Sequence, residues 1–514
     1  MDNYIKEETG GVRMQTAICD RVVTADLSED LSLPDYQPEI KRLLRVRATV
    51  HPADKYLGAG EAEFSGNVDY CVLYAGNDGA LYSLSESGEY RFSVPMEGAN
   101  AIDLGEGIVC DVQITPDMVT GRVAAPRKLG IKCRLRARVR MLGVQQMENA
   151  LPKDSEGVEA LRGSATVARI FLGTSDGISL GDEITMDLPD TDLRVIASEG
   201  QIFVTEASAG SGVVNCRGEV CLKLLVSEEG EGMRPMTLLR RIPFSQEVPV
   251  DGAEVNCDCT AHGICTAIGV TVEEGKLLCD VTLRLQARAQ RNEEISFLRD
   301  VYSTKRECQG RIESFTLPQA ISAIGGNFSV NQTMTLEEAG IRANQSIWDA
   351  SATAILAGME QERGKVYLTG RLRCHAVLLC EGEVSAQEFE IPFRYANDLP
   401  QGATVTDYQA TPTVLSCRVR MDGERIHADA EVAISATLMG EKTVQMLTEA
   451  LFGDAIAHKA CSYTVCYPSR EDTLWSVAKR YHKPIEAIAT RNALPSAPMA
   501  DTTASLAGVS YLLV

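Results

Sequence analysis

Long hydrophobic runs are missing from this sequence, and so is any excess of basic charge. No apolar stretch approaches the ~20 residues that a membrane-spanning helix needs, and residues 1–8 contain no apolar core of a signal peptide. Lys and Arg number 50 against 71 Asp and Glu, a formal net charge of −21. Such acidity argues against nucleic acid or an anionic membrane as a partner. We therefore expect a chain that is cytoplasmic at synthesis, without membrane insertion.

Histidine is scarce, and the six His residues stand at no recognisable catalytic spacing from a nucleophile. Residues 173–177 match a Gly-x-Ser-x-Gly pattern around Ser175, but the residues that follow do not begin a helix, which a nucleophile elbow requires. We interpret this segment as a turn. The sequence therefore predicts no catalytic residues, no cofactor and no enzyme activity.

The sixteen cysteines are spread along the chain, which is typical of small core residues in a reducing compartment. Four side chains of zinc-ligand type fall close together, at Cys257, Cys259, His262 and Cys265. Their spacing is tighter than in the usual structural zinc sites, so we interpret them as packing residues and predict no metal. Cross-linking of cysteines in a later assembly is a reading that the sequence leaves open.

Period-two alternation of apolar and polar residues runs through most of the chain, and one such pattern occurs three times. Each copy pairs a Gly that opens one segment with a Phe in the next: Gly66 and Phe92, Gly218 and Phe244, Gly370 and Phe393. Successive Phe positions are 152 and 149 residues apart. Alternation of this kind predicts strands with one buried face, and a unit of about 150 residues is large enough to be a domain.

We therefore predict a mainly β fold with three tandem antiparallel β-rich, sandwich-like units at residues 14–150, 165–312 and 318–452. Short helices are expected near residues 38–44 and 336–343. The strand order does not follow from the sequence.

The last residues, 463–514, have a different pattern. Asp472 or Thr473 is a suitable N-cap for a helix whose apolar face holds Leu474, Val477, Ala478 and Tyr481. Ile485, Ile488 and Ala489 predict a second short helix that ends at Asn492, and residues 509–514 predict a closing strand.

Two resemblances follow from these residues. Residues 463–514 resemble a LysM module, a small βααβ unit that usually binds N-acetylglucosamine polymers. The runs LPDYQPEIKRLL at residues 33–44 and EISFLRDVYS at residues 294–303 resemble signatures of SPOCS domains. The whole layout is similar to that of SPOCS-domain spore-coat morphogenetic proteins of the SipL type, which end in a LysM module.

The LysM resemblance implies a shallow groove between the first strand-to-helix loop and the loop after the second helix. Carried onto this chain, the groove residues are Glu471, Asp472, Thr473, Leu474, Trp475, Asn492, Ala493 and Leu494. Glu471 stands where the family has Gly, which adds charge and bulk, and loses conformational freedom. Trp475 has two readings, an exposed anchor for a partner or a half-buried helix residue.

The family resemblance implies a non-enzymatic scaffold of spore-coat assembly, located in the mother-cell cytoplasm and on the forespore surface. It implies docking through the LysM module on the spore-coat ATPase, stage IV sporulation protein A, or on another forespore-surface protein. The alternative is a module that binds peptidoglycan glycan.

Overall fold

The computed structural model describes residues 12–58, 60–96, 107–147, 157–185, 193–228, 235–273, 275–457, 464–494 and 502–514. Within these ranges nearly every element is a β-strand paired antiparallel with its neighbours, so the predicted mainly antiparallel β architecture is confirmed. The alternation of apolar and polar residues explains why the chain forms strands. In residues 131–139, every second side chain, from Ile131 to Val139, is buried, while the residues between them face outward.

The first part of the chain forms two sheets. One has the order β1-β7-β6, made of Val12–Ser32, Lys128–Met147 and Val109–Ala125. The other has β4 at its centre, flanked by β2, β3 and β5; these strands are β2 Ile40–Val50, β3 Asp54–Leu57, β4 Glu61–Gly76 and β5 Leu81–Pro95. The first and last strands of this part of the chain, β1 and β7, thus pair in one sheet. Strands β2 to β5, which lie between them in the sequence, form the second, which we call the enclosed sheet.

The next two parts repeat this nesting. Strands β8 (Val158–Thr174), β9 (Ile178–Thr185), β13 (Asp258–Glu273) and β14 (Lys276–Ser303) form one sheet around β14. The intervening sheet is β10-β11-β12, at Leu193–Ala209, Val213–Glu228 and Met236–Pro249.

Strands β15 (Arg306–Thr335), β20 (Arg425–Ala455) and β19 (Asp407–Asp422) then enclose the sheet β16-β17-β18, at Ser346–Glu362, Lys365–Cys380 and Glu383–Asp398. Residues 312–318, where the sequence places a domain boundary, lie inside β15, which pairs with β20 from Arg306 to Thr335.

The two sheets of each part pack face to face. Leu222 and Leu224 of β11 share a buried cluster with Val281 and Leu283 of β14. Clusters of the same kind join β4 to β7 and β17 to β20. Each interior is therefore a two-layer core, which buries the alternating apolar face of both sheets.

The three enclosed sheets also meet one another. Leu73, Leu225 and Val377 pack together at this junction. Beside them, Glu199 of β10 forms ion pairs with Arg45 and Arg47 of β2, the Arg47 contact measuring 2.7 Å between Nη1 and Oε2. Asp349 of β16 accepts from Lys223 Nζ at 2.6 Å and lies 3.7 Å from Arg45. The junction thus contains a buried ion network as well as apolar contacts.

Both short helices expected within the β regions are absent at the described positions. β2 begins at Ile40, because residues 40–50 pair with β4. Residues 336–343 form turns: Ala339 N bonds Thr335 O at 3.2 Å, and Gly340, with φ of 67°, stops the turn. The C-terminal elements are β21 Val465–Cys466, α1 Leu474–Tyr481, α2 Ile485–Arg491 and β22 Leu512–Leu513, and β21 pairs with β22.

Candidate binding surface of the C-terminal segment

Helix α1 starts at a capping box. The Thr473 hydroxyl accepts from Ser476 N at 3.1 Å, and the Ser476 hydroxyl accepts from Thr473 N at 3.0 Å. Of the two predicted N-caps, the structure therefore selects Thr473. Asp472 instead accepts from Ser469 N at 2.8 Å and from Arg480 Nη2 at 2.5 Å, and these two hydrogen bonds lower the pKa of its carboxyl group.

Helix α2 ends at Asn492, as predicted, and this side chain also holds the closing strand. Its Nδ2 donates to Leu513 O at 2.8 Å, and its Oδ1 accepts from Leu513 N at 2.7 Å. Ala493 has a positive φ of 45°, and Leu494 N bonds Ala489 O at 3.1 Å. Asn492 is therefore a structural link between α2 and β22.

The predicted apolar face of the two helices is buried. Leu474, Val477, Ala478 and Ile488 form one cluster, together with Trp475 and residues of the final strand. That cluster also includes Tyr302 of β14, so the core of the segment continues into the β body.

Trp475 lies against the body instead of facing solvent. Its side chain is 6% exposed, its Nε1 donates to Asp300 Oδ2 at 2.8 Å, and its ring meets Tyr302 edge-on with centroids 5.0 Å apart. Lys479, one turn further along α1, contacts both carboxylate oxygens of Asp300 at 2.6 and 2.8 Å. Of the two readings of Trp475, the structure supports the buried one.

Two further contacts fix the start of α2 on the same strand. The Tyr302 hydroxyl donates to Lys483 O at 2.8 Å, and burial raises the pKa of this phenol. His482, in the left-handed region with φ of 53°, places Nδ1 3.1 Å from Ser303 O. Asp300, Tyr302 and Ser303 belong to the EISFLRDVYS run. Sequence reasoning used that run as a family signature and missed its contact with the segment.

The predicted groove residues differ in exposure. Asp472, Leu474 and Trp475 are buried, and Glu471 and Ala493 are exposed. The remaining three are half-buried: Thr473, Asn492 and Leu494. Residues 502–506 run beside the first loop, because Leu506 N bonds Asp472 O at 2.9 Å and Trp475 N bonds Thr502 O at 3.0 Å. Glu471 is not among the residues with positive φ, so its backbone carries no strain from replacing Gly.

An exposed aromatic patch on the segment was missed by the sequence reasoning. Val465, Tyr467 and Tyr511 are 47%, 77% and 56% exposed. Val465 pairs with Leu513 and Cys466 with Leu512, and Tyr467 and Tyr511 are the residues that directly follow β21 and precede β22. The available signal was alternation: Cys466 and Leu512 point inward, which turns their neighbours outward. We call Val465, Tyr467 and Tyr511 the tyrosine patch.

Two motifs that the sequence analysis interpreted as non-functional, around Ser175 and at residues 257–265, lie in or between β-strands. Ser175 stands in the connection between β8 and β9, and a strand, not a helix, follows it; its hydroxyl accepts from Leu285 N at 2.9 Å. Cys259 and Cys265 lie in β13, and burial raises the pKa of each thiol to about 12. His262 lies 2.9 Å from Gln286 Oε1.

Neither described helix is long and apolar enough to cross a membrane. Comparison with known proteins gave no matching family model, no matching curated protein and no matching solved structure.

Proposed function

We propose that this chain is a non-enzymatic scaffold of spore-coat assembly, made of three SPOCS-like repeats at about residues 14–150, 165–312 and 318–452 and a LysM-like segment at 463–514. Support for the repeats comes from the nesting of the sheets, in which the outer strands of each part enclose a second sheet. Support for the LysM-like unit comes from its order of strand, helix, helix and strand and from the β21–β22 pairing.

The observation that carries the docking role is the tyrosine patch on a segment whose other face is anchored. Trp475, Lys479 and Lys483 hold one side of the segment on β14, while Tyr467 and Tyr511 stay exposed. Exposed aromatic side chains on a rigid support are typical of protein-binding hot spots. The partner that we propose is stage IV sporulation protein A or another protein on the forespore surface.

Glu471 contributes specificity in this proposal. Its carboxylate is exposed beside the capped start of α1 and has no hydrogen-bond partner among the described residues. A basic residue of a protein partner can pair with it, whereas a neutral glycan leaves it unpaired.

The second candidate function is peptidoglycan binding. The observation that favours it is the unstrained backbone at Glu471, which removes one objection to a working sugar-binding loop. In this alternative, Glu471→Gly should strengthen binding to the glycan.

A fluorescent fusion of the full chain in sporulating cells tests the docking proposal. Replacing both Tyr467 and Tyr511 by Ala should abolish localisation to the forespore and capture by immobilised stage IV sporulation protein A. The matched control replaces Tyr36 and Tyr56, which are 85% and 72% exposed on the β body. Normal localisation of the patch variant would refute docking through this surface.

Pelleting of the same proteins with purified peptidoglycan separates the two functions. Strong pelleting without capture by the protein would favour the glycan function, as would improved pelleting of the Glu471→Gly variant. Glu471→Arg should weaken capture by the protein, because it reverses the charge that a basic partner residue meets.

A further inference from the structure

Two cysteine side chains are in contact between the two sheets of the last β part of the chain. Cys374 lies in β17 of the enclosed sheet, and Cys417 lies in β19 of the sheet that packs against it. Both face inward, because both belong to the apolar cluster between these sheets. Their side chains are hydrogen-bonded to each other, and both cysteines are free thiols. Residues from two separate sheets, 43 positions apart in the sequence, thus form a thiol pair.

Packing alone does not require this pair. Cys374 stands four residues after the repeated Gly of its sheet, and Cys417 is the second residue after a bulge in its strand. The other two β parts carry an aromatic or aliphatic residue at each of these places: Tyr70 and Val119 in the first, Leu222 and Ile268 in the second. The same core geometry is therefore built without sulfur twice, and a thiol pair at these places is particular to the third part.

The two thiols differ in exposure and in acidity. Cys417 is half-buried, whereas Cys374 is fully buried. The hydrogen bond from Cys374 lowers the pKa of the Cys417 thiol and outweighs the opposite effect of burial, with a smaller contribution from the Lys223 ammonium group. The same hydrogen bond, together with burial, raises the pKa of Cys374. Because the thiolate is the form that attacks a disulfide, Cys417 is the residue that an oxidant reaches first.

We propose that Cys374 and Cys417 form a modification site, at which a low-molecular-weight disulfide oxidises the two thiols to one intrachain disulfide. In the first step the Cys417 thiolate attacks a sulfur of the oxidant, a mixed disulfide forms, and one thiolate of the oxidant leaves. In the second step Cys374 loses its proton and attacks Cys417 Sγ, and the second thiolate of the oxidant leaves. The two released thiolates take up the two protons that the cysteines lose.

The new bond joins β17 to β19 and therefore ties the two sheets of this part together. It also closes a long loop of the chain, which restricts the unfolded state and raises stability. The thiol pair lies in a different part of the chain from the tyrosine patch, and the inference is independent of the proposed docking function.

Peptide mapping of the full chain tests this inference. The chain is first fully reduced, then incubated with oxidised glutathione and digested with trypsin without reductant. We expect the tryptic peptide 374–394 to be linked to peptide 395–418, and the thiol count of the chain to fall by two. Cys380 lies in the same tryptic peptide as Cys374, so the mapping is repeated with Cys380→Ser, in which the link should persist.

Single variants separate the two steps. Cys374→Ala should stop the reaction at the mixed disulfide, so that glutathione accumulates on Cys417. Cys417→Ala should leave Cys374 reduced, because the thiol that reacts first is missing. Cys279→Ala, which removes a buried thiol of β14, is the matched control and should form the same cross-link as the wild type.

Thermal unfolding gives a second readout and shows whether each reduced variant is folded. Oxidation should raise the Tm of the wild type and of Cys279→Ala, and it should leave the Tm of Cys417→Ala unchanged.

Three results would overturn the inference. The first is recovery of both peptides unlinked from the oxidised wild type, a result that depends on no variant. The second is a link that joins two chains, seen as a dimer on a non-reducing gel. The third is a loss of two thiols that persists in Cys374→Ala without glutathione on Cys417, which would assign the oxidation to other cysteines.

Discussion

The Trp475 indole nitrogen donates to the Asp300 carboxylate at 2.8 Å, across 175 positions of sequence. The same carboxylate receives Lys479 at 2.6 Å, and the residue two positions further, Tyr302, packs against the indole ring. One short stretch of β14 thus holds the C-terminal segment on the β body. Anchoring restricts the orientation of the tyrosine patch relative to the sheets, as the proposed scaffold role requires.

Replacing Asp300 by Ala should loosen the C-terminal segment without unfolding the sheets. The change leaves the buried indole N–H of Trp475 unpaired, and we expect docking of the segment to weaken by about 1–3 kcal/mol. Amide hydrogen exchange in residues 474–491 should accelerate, while exchange in β11 and β17 stays slow. Asp26→Ala, which removes an exposed carboxylate paired with Arg134, is the control. Unchanged exchange in the helices would show that Asp300 does not anchor them.

Replacing Glu199 by Gln should destabilise the junction of the three enclosed sheets. Glu199 is the shared partner of Arg45 and Arg47, and the Arg45 side chain is only 6% exposed. Removing one member of a buried ion network leaves the opposite charge uncompensated, which costs about 3 kcal/mol. Denaturant unfolding measures this loss. Glu360→Gln, in an exposed pair with Arg394, should have little effect, and an equal loss there would contradict the role of burial.

The contribution of Glu199 should also depend on pH. Burial alone raises the pKa of this carboxyl group, but Arg45, Arg47 and Lys223 outweigh burial and lower the pKa from 4.5 to about 2. Because the folded pKa lies below the unfolded one, the stabilisation is complete above pH 4.5 and is lost as the pH falls towards 2. The stability difference between wild type and Glu199→Gln should therefore narrow below about pH 4.5. A difference that stays constant down to pH 3 would contradict the assigned shift.

Replacing Ser175 by Ala should reduce stability and leave localisation intact. The buried hydroxyl accepts from Leu285 N at 2.9 Å, so its removal leaves that N–H without this acceptor and costs about 1–2 kcal/mol. Thermal unfolding and forespore localisation of the full-length variant measure the two effects. Loss of function at unchanged stability would assign a chemical role to the hydroxyl.

Local patterns in the sequence were sufficient for the β architecture, for the presence of both C-terminal helices and for the end of the second at Asn492, while the start of the first was left open between Asp472 and Thr473. Alternation identifies a strand because the side-chain period of two is a property of the strand itself, as in residues 131–139. Thr473 and Asn492 could be recognised for a similar reason, since caps act on backbone groups within a few residues. The same local reasoning was wrong at Ile40, where pairing with β4 decides the conformation.

Tertiary structure alone decided which distant residues meet. Asp300 and Trp475 are ordinary strand and helix residues until the segment packs on β14, and that packing also turns Trp475 inward and leaves Tyr467 exposed. Asp111 and Gln409 come together only because three sheets converge on one cavity. A sequence determines periodicity and caps through contacts between near neighbours, whereas contacts between distant residues depend on how separately formed sheets pack, for which the local pattern carries no signal.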